Sequence, residues 1–208
     1  RTEPYACDAY TVALWHFDDS AGDACQNHGG TITMTGTHDN FTTGKFGKAW
    51  WGDGGGDYVS APDSADWAFG NFTVDVWIRS TLSDNLNIVS QGTDNSNFMD
   101  WYVGPDGGMY FQVIIAGTYS PNIYVAPGTF VADTWYHTAL VRNGNVWNVY
   151  KDGILINSTT ASITYPDFTS SFIVGARQRL ALDLYFNGSI DEVRISNKSR
   201  TPEEFREF

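Results

Sequence analysis

The run Phe72–Thr81, FTVDVWIRST, places Phe72, Val74, Val76 and Ile78 on one face and Thr73, Asp75, Trp77 and Arg79 on the other. A period of two is the mark of a strand with one face against a core. Helical periodicity is nearly absent from the chain. Short apolar runs bounded by Gly, Asp, Asn and Pro recur instead, among them Val12–Phe17, Tyr58–Ala61, Asn87–Gln91, Met109–Ala116, Trp135–Arg142, Val146–Tyr150 and Phe172–Gly175. Together they predict about 12 strands, enough for two stacked antiparallel sheets. PDGG, NGN and KDG supply tight hairpin turns. GDGGGD (Gly52–Asp57) reads as another hairpin turn, since no lysine or helix follows it as a phosphate loop requires. Near the end, Thr201-Pro202-Glu203-Glu204 combines a capping threonine, a first-turn proline and a glutamate at the third helical position, opening one short helix.

Composition narrows the function classes. At 42% hydrophobic and 15% aromatic, the 208 residues can bury a large core. The net charge of −12 and the pI near 4.4 argue against a nucleic-acid partner, which needs a basic face. No apolar run approaches the ~18–20 residues that span a bilayer, so membrane insertion is not expected. The opening RTEPYACDAY resembles a mature or trimmed N-terminus. Cys7 and Cys25 match neither a zinc nor a CxxC pattern; they either form a disulfide or stand as two buried thiols. Sequons at Asn40, Asn71, Asn157, Asn187 and Asn197 fit a secreted glycoprotein, and equally a Thr- and Asn-rich surface protein.

In Leu184–Ser196, LYFNGSIDEVRIS, Val193 and Ile195 alternate with Glu192 and Arg194, which puts Asp191 on the core face. A carboxylate there needs a donor, a cation or a metal. Polar Asp18–Gly30 brings Asp18, Asp19, Asp23 and Asn27. These groups either wrap a calcium ion, which takes six to eight oxygens in irregular geometry, or cap turns.

ALWHFDDSAG, GKFGKAWWGDGGGDYVSAPDS, FTVDVWIRS, DTWYHTALVRNGNVWNVYKDG, GSIDEVRIS and RTPEEF follow one another in an order that resembles the laminin G/pentraxin-type, concanavalin A-like (LamG-like) jelly rolls over Thr11–Phe205. The resemblance implies an all-β, two-sheet antiparallel sandwich. It occupies 1–208 as one domain, with a 1–10 extension and the 201–208 helix. It also implies a structural Ca2+ tying the N-terminal loop to the last strand through Asp18 or Asp19 and Asp191.

Catalysis is not expected. The retaining glycanases of this fold pair carboxyls ~5 Å apart on one strand, and this chain has no Glu-x-Asp-x-(x)-Glu. Eight Trp and 11 Tyr exceed what one core needs, and sugars stack on exposed aromatic faces. Trp67, Trp101, Tyr102, Tyr119 and Tyr124, near loops, are the ligand candidates. The expectation is an extracellular, non-catalytic module that binds a glycan or an extracellular protein. The alternatives are a self-associating subunit of a filament, surface layer or virion, and, less favoured, a divergent glycanase.

Overall fold

The computed structural model describes residues 3–19, 22–25, 32–36 and 41–206; Asn27, His28, His38 and Asn40 lie outside that set. In chain order the strands are β1 (Thr11–Trp15), β2 (Thr33–Thr35), β3 (Phe41–Thr43), β4 (Lys48–Asp53), β5 (Tyr58–Ala61), β6 (Phe72–Ser80), β7 (Leu86–Asp94), β8 (Asn97–Val103) and β9 (Met109–Ile115). They continue with β10 (Thr118–Val125), β11 (Tyr136–Asn143), β12 (Val146–Lys151), β13 (Ile154–Thr160), β14 (Phe172–Val174), β15 (Arg177–Gln178), β16 (Leu182–Asp183) and β17 (Asn187–Ser196), followed by α1 (Pro202–Arg206).

Two antiparallel sheets form the sandwich. One has the order β13-β12-β11-β6-β17-β4-β3, with β1 also on β17; the other has the order β10-β9-β8-β7-β14-β5-β2. Phe72, Val74, Val76 and Ile78 enter the shared core, as their alternation requires, with Trp15, Trp50, Trp67, Trp101, Trp147 and Phe172. The strands beyond the expected 12 are mostly pieces of two or three residues, too short to show a period. One is longer: β10 contains Pro121, which cannot donate to a ladder and so sits on a sheet edge.

GDGGGD is not a hairpin turn. β4 pairs with β3 and β17 in one sheet, while β5 pairs with β2 and β14 in the other, so the segment is a corner between sheets. The PDGG, NGN and KDG turns do join paired neighbours. In α1, Glu204 Oε2 accepts from the Thr201 N–H at 2.9 Å, the backward half of a capping box.

Both described ends of the chain lie on the outer face of the eight-stranded sheet. Tyr5 lies 3% exposed with its hydroxyl 2.7 Å from His137 Nε2 and its ring 3.7 Å from the Arg194 guanidinium. Phe205 of α1 packs on Ala139 and Val141. Cys7 and Cys25 form a disulfide. The outer face of the seven-stranded sheet carries the small β15–β16 hairpin, which is tied to β7 where Ser90 Oγ donates to Ala176 O and accepts from Gln178 N.

Candidate functional site

The tight turn after β8 sets its register with β9, and β10 follows as the next strand. Met99, Trp101, Val103, Met109, Phe111, Val113, Ile123 and Val125 all belong to the core. Alternation sends their neighbours to the outer face. Register then lines these up in rows. Tyr102, Tyr110 and Tyr124 stand side by side, next to Asp100, Gln112 and Asn122, and then Phe98, Ile114 and Tyr119. On β7, Asn87 extends the first row and Ser90 the second.

The tyrosines stack on one another. Tyr102 and Tyr110 have centroids 4.8 Å apart and planes 9° apart, and Tyr110 and Tyr124 follow at 4.8 Å and 37°. Ring edges and hydroxyls therefore line most of this row. Tyr119 and Tyr124 are 56% and 45% exposed, so an open aromatic surface lies at the β10 side. Burial, with help from the Asp100 carboxylate, pushes Tyr102 up to about 12.

Asp100 is fully buried, and neither carboxylate oxygen has a hydrogen-bond partner. Burial pushes its pKa up to about 6, against the pull of Gln112, Arg177 and Arg179. Arg177 Nη1 is 3.7 Å from Asp100 Oδ2. The Asn87 amide is likewise buried with neither end paired.

Of the expected ligand residues, Tyr102, Tyr119 and Tyr124 share this face. Trp67 and Trp101 do not. They are 2% and 0% exposed, packed among Trp15, Phe69, Phe172 and other core side chains, and cannot stack on a ligand. Loop proximity misplaced them: Trp101 is an inward position of β8, and Trp67 is folded inward by the 3-10 turn capped by Ser64. Tyr110, Gln112, Asn122 and Asp100 escaped notice because their grouping depends on cross-strand register. Alternation alone could have found each of them.

The expected metal residues occupy the opposite sheet. Asp191 does not face the core. A β-bulge between Asp191 and Arg194, with Glu192 at φ 53°, puts Asp191 opposite Trp77 and Arg194 opposite Asp75, on the outer face. The Gly44–Gly47 turn closes over the carboxylate there. Asp191 Oδ2 accepts from Lys45 N at 2.8 Å and Phe46 N at 3.0 Å, and Phe46 packs edge-on against Trp77. Burial pushes Asp191 up to about 7. Asp18 Oδ1 holds the same turn through Lys48 N, 2.7 Å away. Gly47, at φ 52°, is required there, since a Cβ would lie 2.0 Å from Asp18 Oδ1.

Glu192 binds the N-terminal segment through His16 Nδ1 at 2.5 Å and the Tyr5 N–H at 2.6 Å. This pairing raises the His16 pKa.

Asp19 pairs with Lys48 Nζ, and Asp23 Oδ1 accepts from Leu14 N and Cys25 N. These two acids thus cap and brace the loop. Among the described residues no three His, Cys, Asp or Glu side chains converge on one point. One observation suits a cation: Asp191 Oδ1 is buried with no hydrogen-bond partner.

The chain belongs to the concanavalin A-like lectin/glucanases superfamily, whose family model matches residues 53–206. Among solved structures it is similar to domain 4 of AbnA, a GH43 extracellular arabinanase from Geobacillus stearothermophilus, in complex with arabinotriose. The TM-score is 0.75 and the identity 24%, over 96% of this chain and 98% of that one. The binding domain of Paraclostridial Mosquitocidal Protein 1 follows at TM-score 0.74 and 16% identity, over 95% of this chain and 51% of that one. A third, the Ruminococcus gnavus IT-sialidase CBM40 bound to alpha2,3 sialyllactose, reaches TM-score 0.60 at 16% identity, over 66% of this chain and 81% of that one. Among curated protein sequences none matches the chain.

Proposed function

We propose that the chain is a non-catalytic, extracellular glycan-binding module whose contact surface is the outer face of β7–β10. The observation that carries this is the grouping of exposed Tyr119, Tyr124 and Asn122 with half-buried Tyr102, Tyr110 and Gln112 on one sheet face. Sugars need that combination of aromatic surface and bidentate polar groups. Solved complexes of similar fold with arabinotriose and sialyllactose support it. The row neighbours of Asp100 are Ser90, Gln112 and Asn122, which offer no second carboxyl at the ~5 Å a retaining hydrolase requires. The disulfide fits an oxidising compartment.

A glycan array followed by calorimetry tests the reading. Tyr124→Ala and Tyr119→Ala should each weaken binding about tenfold, the scale of losing 1–1.5 kcal/mol of aromatic contact, while leaving the melting temperature within a few degrees. Binding unchanged in both variants would move the site elsewhere.

A structural calcium belongs to the same reading. It would take the free Asp191 Oδ1, with Asp18 on the far side of the same turn and the remaining oxygens from backbone or water. It would fasten the Gly44–Gly47 turn to the bulge. Calcium at a hundredfold excess over its Kd should stabilise the native state by ~2.7 kcal/mol. Melting in CaCl2 against EDTA reads this out, and Asp191→Asn should abolish the difference. Equal melting temperatures, with no metal by elemental analysis, would exclude the ion.

A further inference from the structure

Where the β4–β5 corner meets the β6–β7 turn, a cleft of about 300 Å³ opens between residues 53–54, 83–86 and 184–187. That volume lies at the small end of ligand pockets and suits one small polar molecule. Its polar side chains reach solvent: Ser83 and Asp84 are exposed, and Asn85 and Asn187 are half-buried. Much of this polarity is uncommitted. Among the described residues neither the Asn85 nor the Asn187 carboxamide makes a hydrogen bond. Asp84 accepts the Asn85 N–H on Oδ1 at 2.7 Å, which leaves Oδ2 for a ligand. Gly54, at φ 82°, keeps one side of the Asn187 amide open, since a Cβ there would lie 3.3 Å from Nδ2.

The walls are bonded into one frame. The Thr81 N–H and hydroxyl both donate to Asn187 O, at 3.0 and 3.2 Å, and Gly54 N donates to Phe186 O at 3.2 Å. Leu82 and Leu184 hold φ of 54° and 48°, a left-handed backbone that is costly for leucine and collects at ligand clamps. The cleft also adjoins the tyrosine row. Asn87, the β7 member of that row, donates its N–H to Leu184 O at 3.1 Å. Gly104 lies between the two sites: a Cβ there would be 3.2 Å from Tyr110 Cε2 and 3.6 Å from Asn85 Oδ1.

A carboxamide sets a donor beside an acceptor, the match for two neighbouring hydroxyls, and a carboxylate oxygen accepts from another. Leu86, Leu184 and Tyr185 complete the lining with apolar surface for the C–H side of a ring. No Lys, Arg or His lines the cleft, so it holds no cationic anchor for a phosphate or carboxylate. We infer that this cleft is a second subsite, which takes one sugar unit through its hydroxyls and extends the tyrosine row past β7. The inference rests on the glycan-binding reading above and adds to it a pocket with residues of its own.

The experiment is calorimetry on the whole chain, made in a bacterium without N-glycosylation so that the Asn187 sequon stays bare. The probe is the tightest binder on a broad glycan array that includes arabinotriose, xylotriose, cellotriose and maltotriose. Asn85→Ala and Asn187→Ala should each weaken it about fivefold or more, the scale of losing a pair of hydrogen bonds. Ser83→Trp, at an exposed position, should fill the cleft and weaken the probe as much without lowering the melting temperature. Wild-type affinity in all three cleft variants, with Tyr124→Ala still weakened, overturns the subsite and leaves the glycan-binding reading intact. A probe weakened by the cleft variants and untouched by Tyr124→Ala and Tyr119→Ala overturns the extension from the row. No binding of any glycan on the array overturns the inference together with the reading beneath it.

Discussion

Asp75 and Arg194 show how a charge pair is kept dry on what would otherwise be a wet sheet face. Arg194 Nη2 lies 2.8 Å from Asp75 Oδ2 and Nε 3.1 Å from Oδ1, with Asp75 fully buried and His137 Nε2 3.5 Å away. Burial alone would raise the Asp75 pKa, but the Arg194 charge and the His137 contact prevail and hold it well below the usual carboxylate range. Removing one partner of such a pair strands the other, so Arg194→Ala should cost about 3–5 kcal/mol in a urea titration. A shift of under 1 kcal/mol would show that the pair is solvated. The sign with pH follows from the same groups. Asp75, with a folded pKa below its unfolded one, contributes stability above pH ~4 that is lost as pH falls further. Asp100 behaves oppositely: with a folded pKa of about 6 the native state binds more protons than the unfolded chain, so stability declines as pH rises from about 4 to 6. Asp191, pushed up to about 7, acts in the same direction, so Asp100→Asn should make that limb of a melting-temperature profile shallower without abolishing it; an unchanged slope would assign the limb to Asp191 or another group.

At the scale of elements, the parts that hold the fold shut are the least regular. The bulge in β17 aims two adjacent acids at different targets, Asp191 at the Gly44–Gly47 turn and Glu192 at Tyr5 and His16. The Cys7–Cys25 bridge, with a sequence separation of 18, closes the loop that leads into and out of β1. In the chain-entropy view a loop of that size contributes ~3 kcal/mol. The double variant Cys7→Ser, Cys25→Ser should lose about that much by chemical denaturation, and a loss below 1 kcal/mol would mean the loop is already ordered without the bridge. Regular elements were the legible ones: FTVDVWIRS gave its inner and outer faces by alternation, and the capping sequence gave α1. The bulge was not legible, because one extra residue reverses the face of everything before it. Two-residue strands such as β15 and β16 leave no period to detect.

For the whole molecule, the sheet count and sandwich architecture followed from strand number and polarity, whereas the grouping of the site did not. Tyr102, Tyr110 and Tyr124 are separated in sequence and meet only because two turns bring three strands into register. GDGGGD illustrates the limit from the other side, since local turn chemistry cannot say whether the next strand joins the same sheet or crosses to the other. The same architecture puts both described ends of the chain, through Tyr5 and Phe205, on the back of the eight-stranded sheet. That arrangement makes the molecule directional as a reagent. Coupled to a sensor surface or a reporter beside Tyr5 or Phe205, it should present its tyrosine rows outward and keep the proposed binding whole, while attachment at Leu180, 73% exposed on the β15–β16 hairpin, would press the proposed contact face against the support.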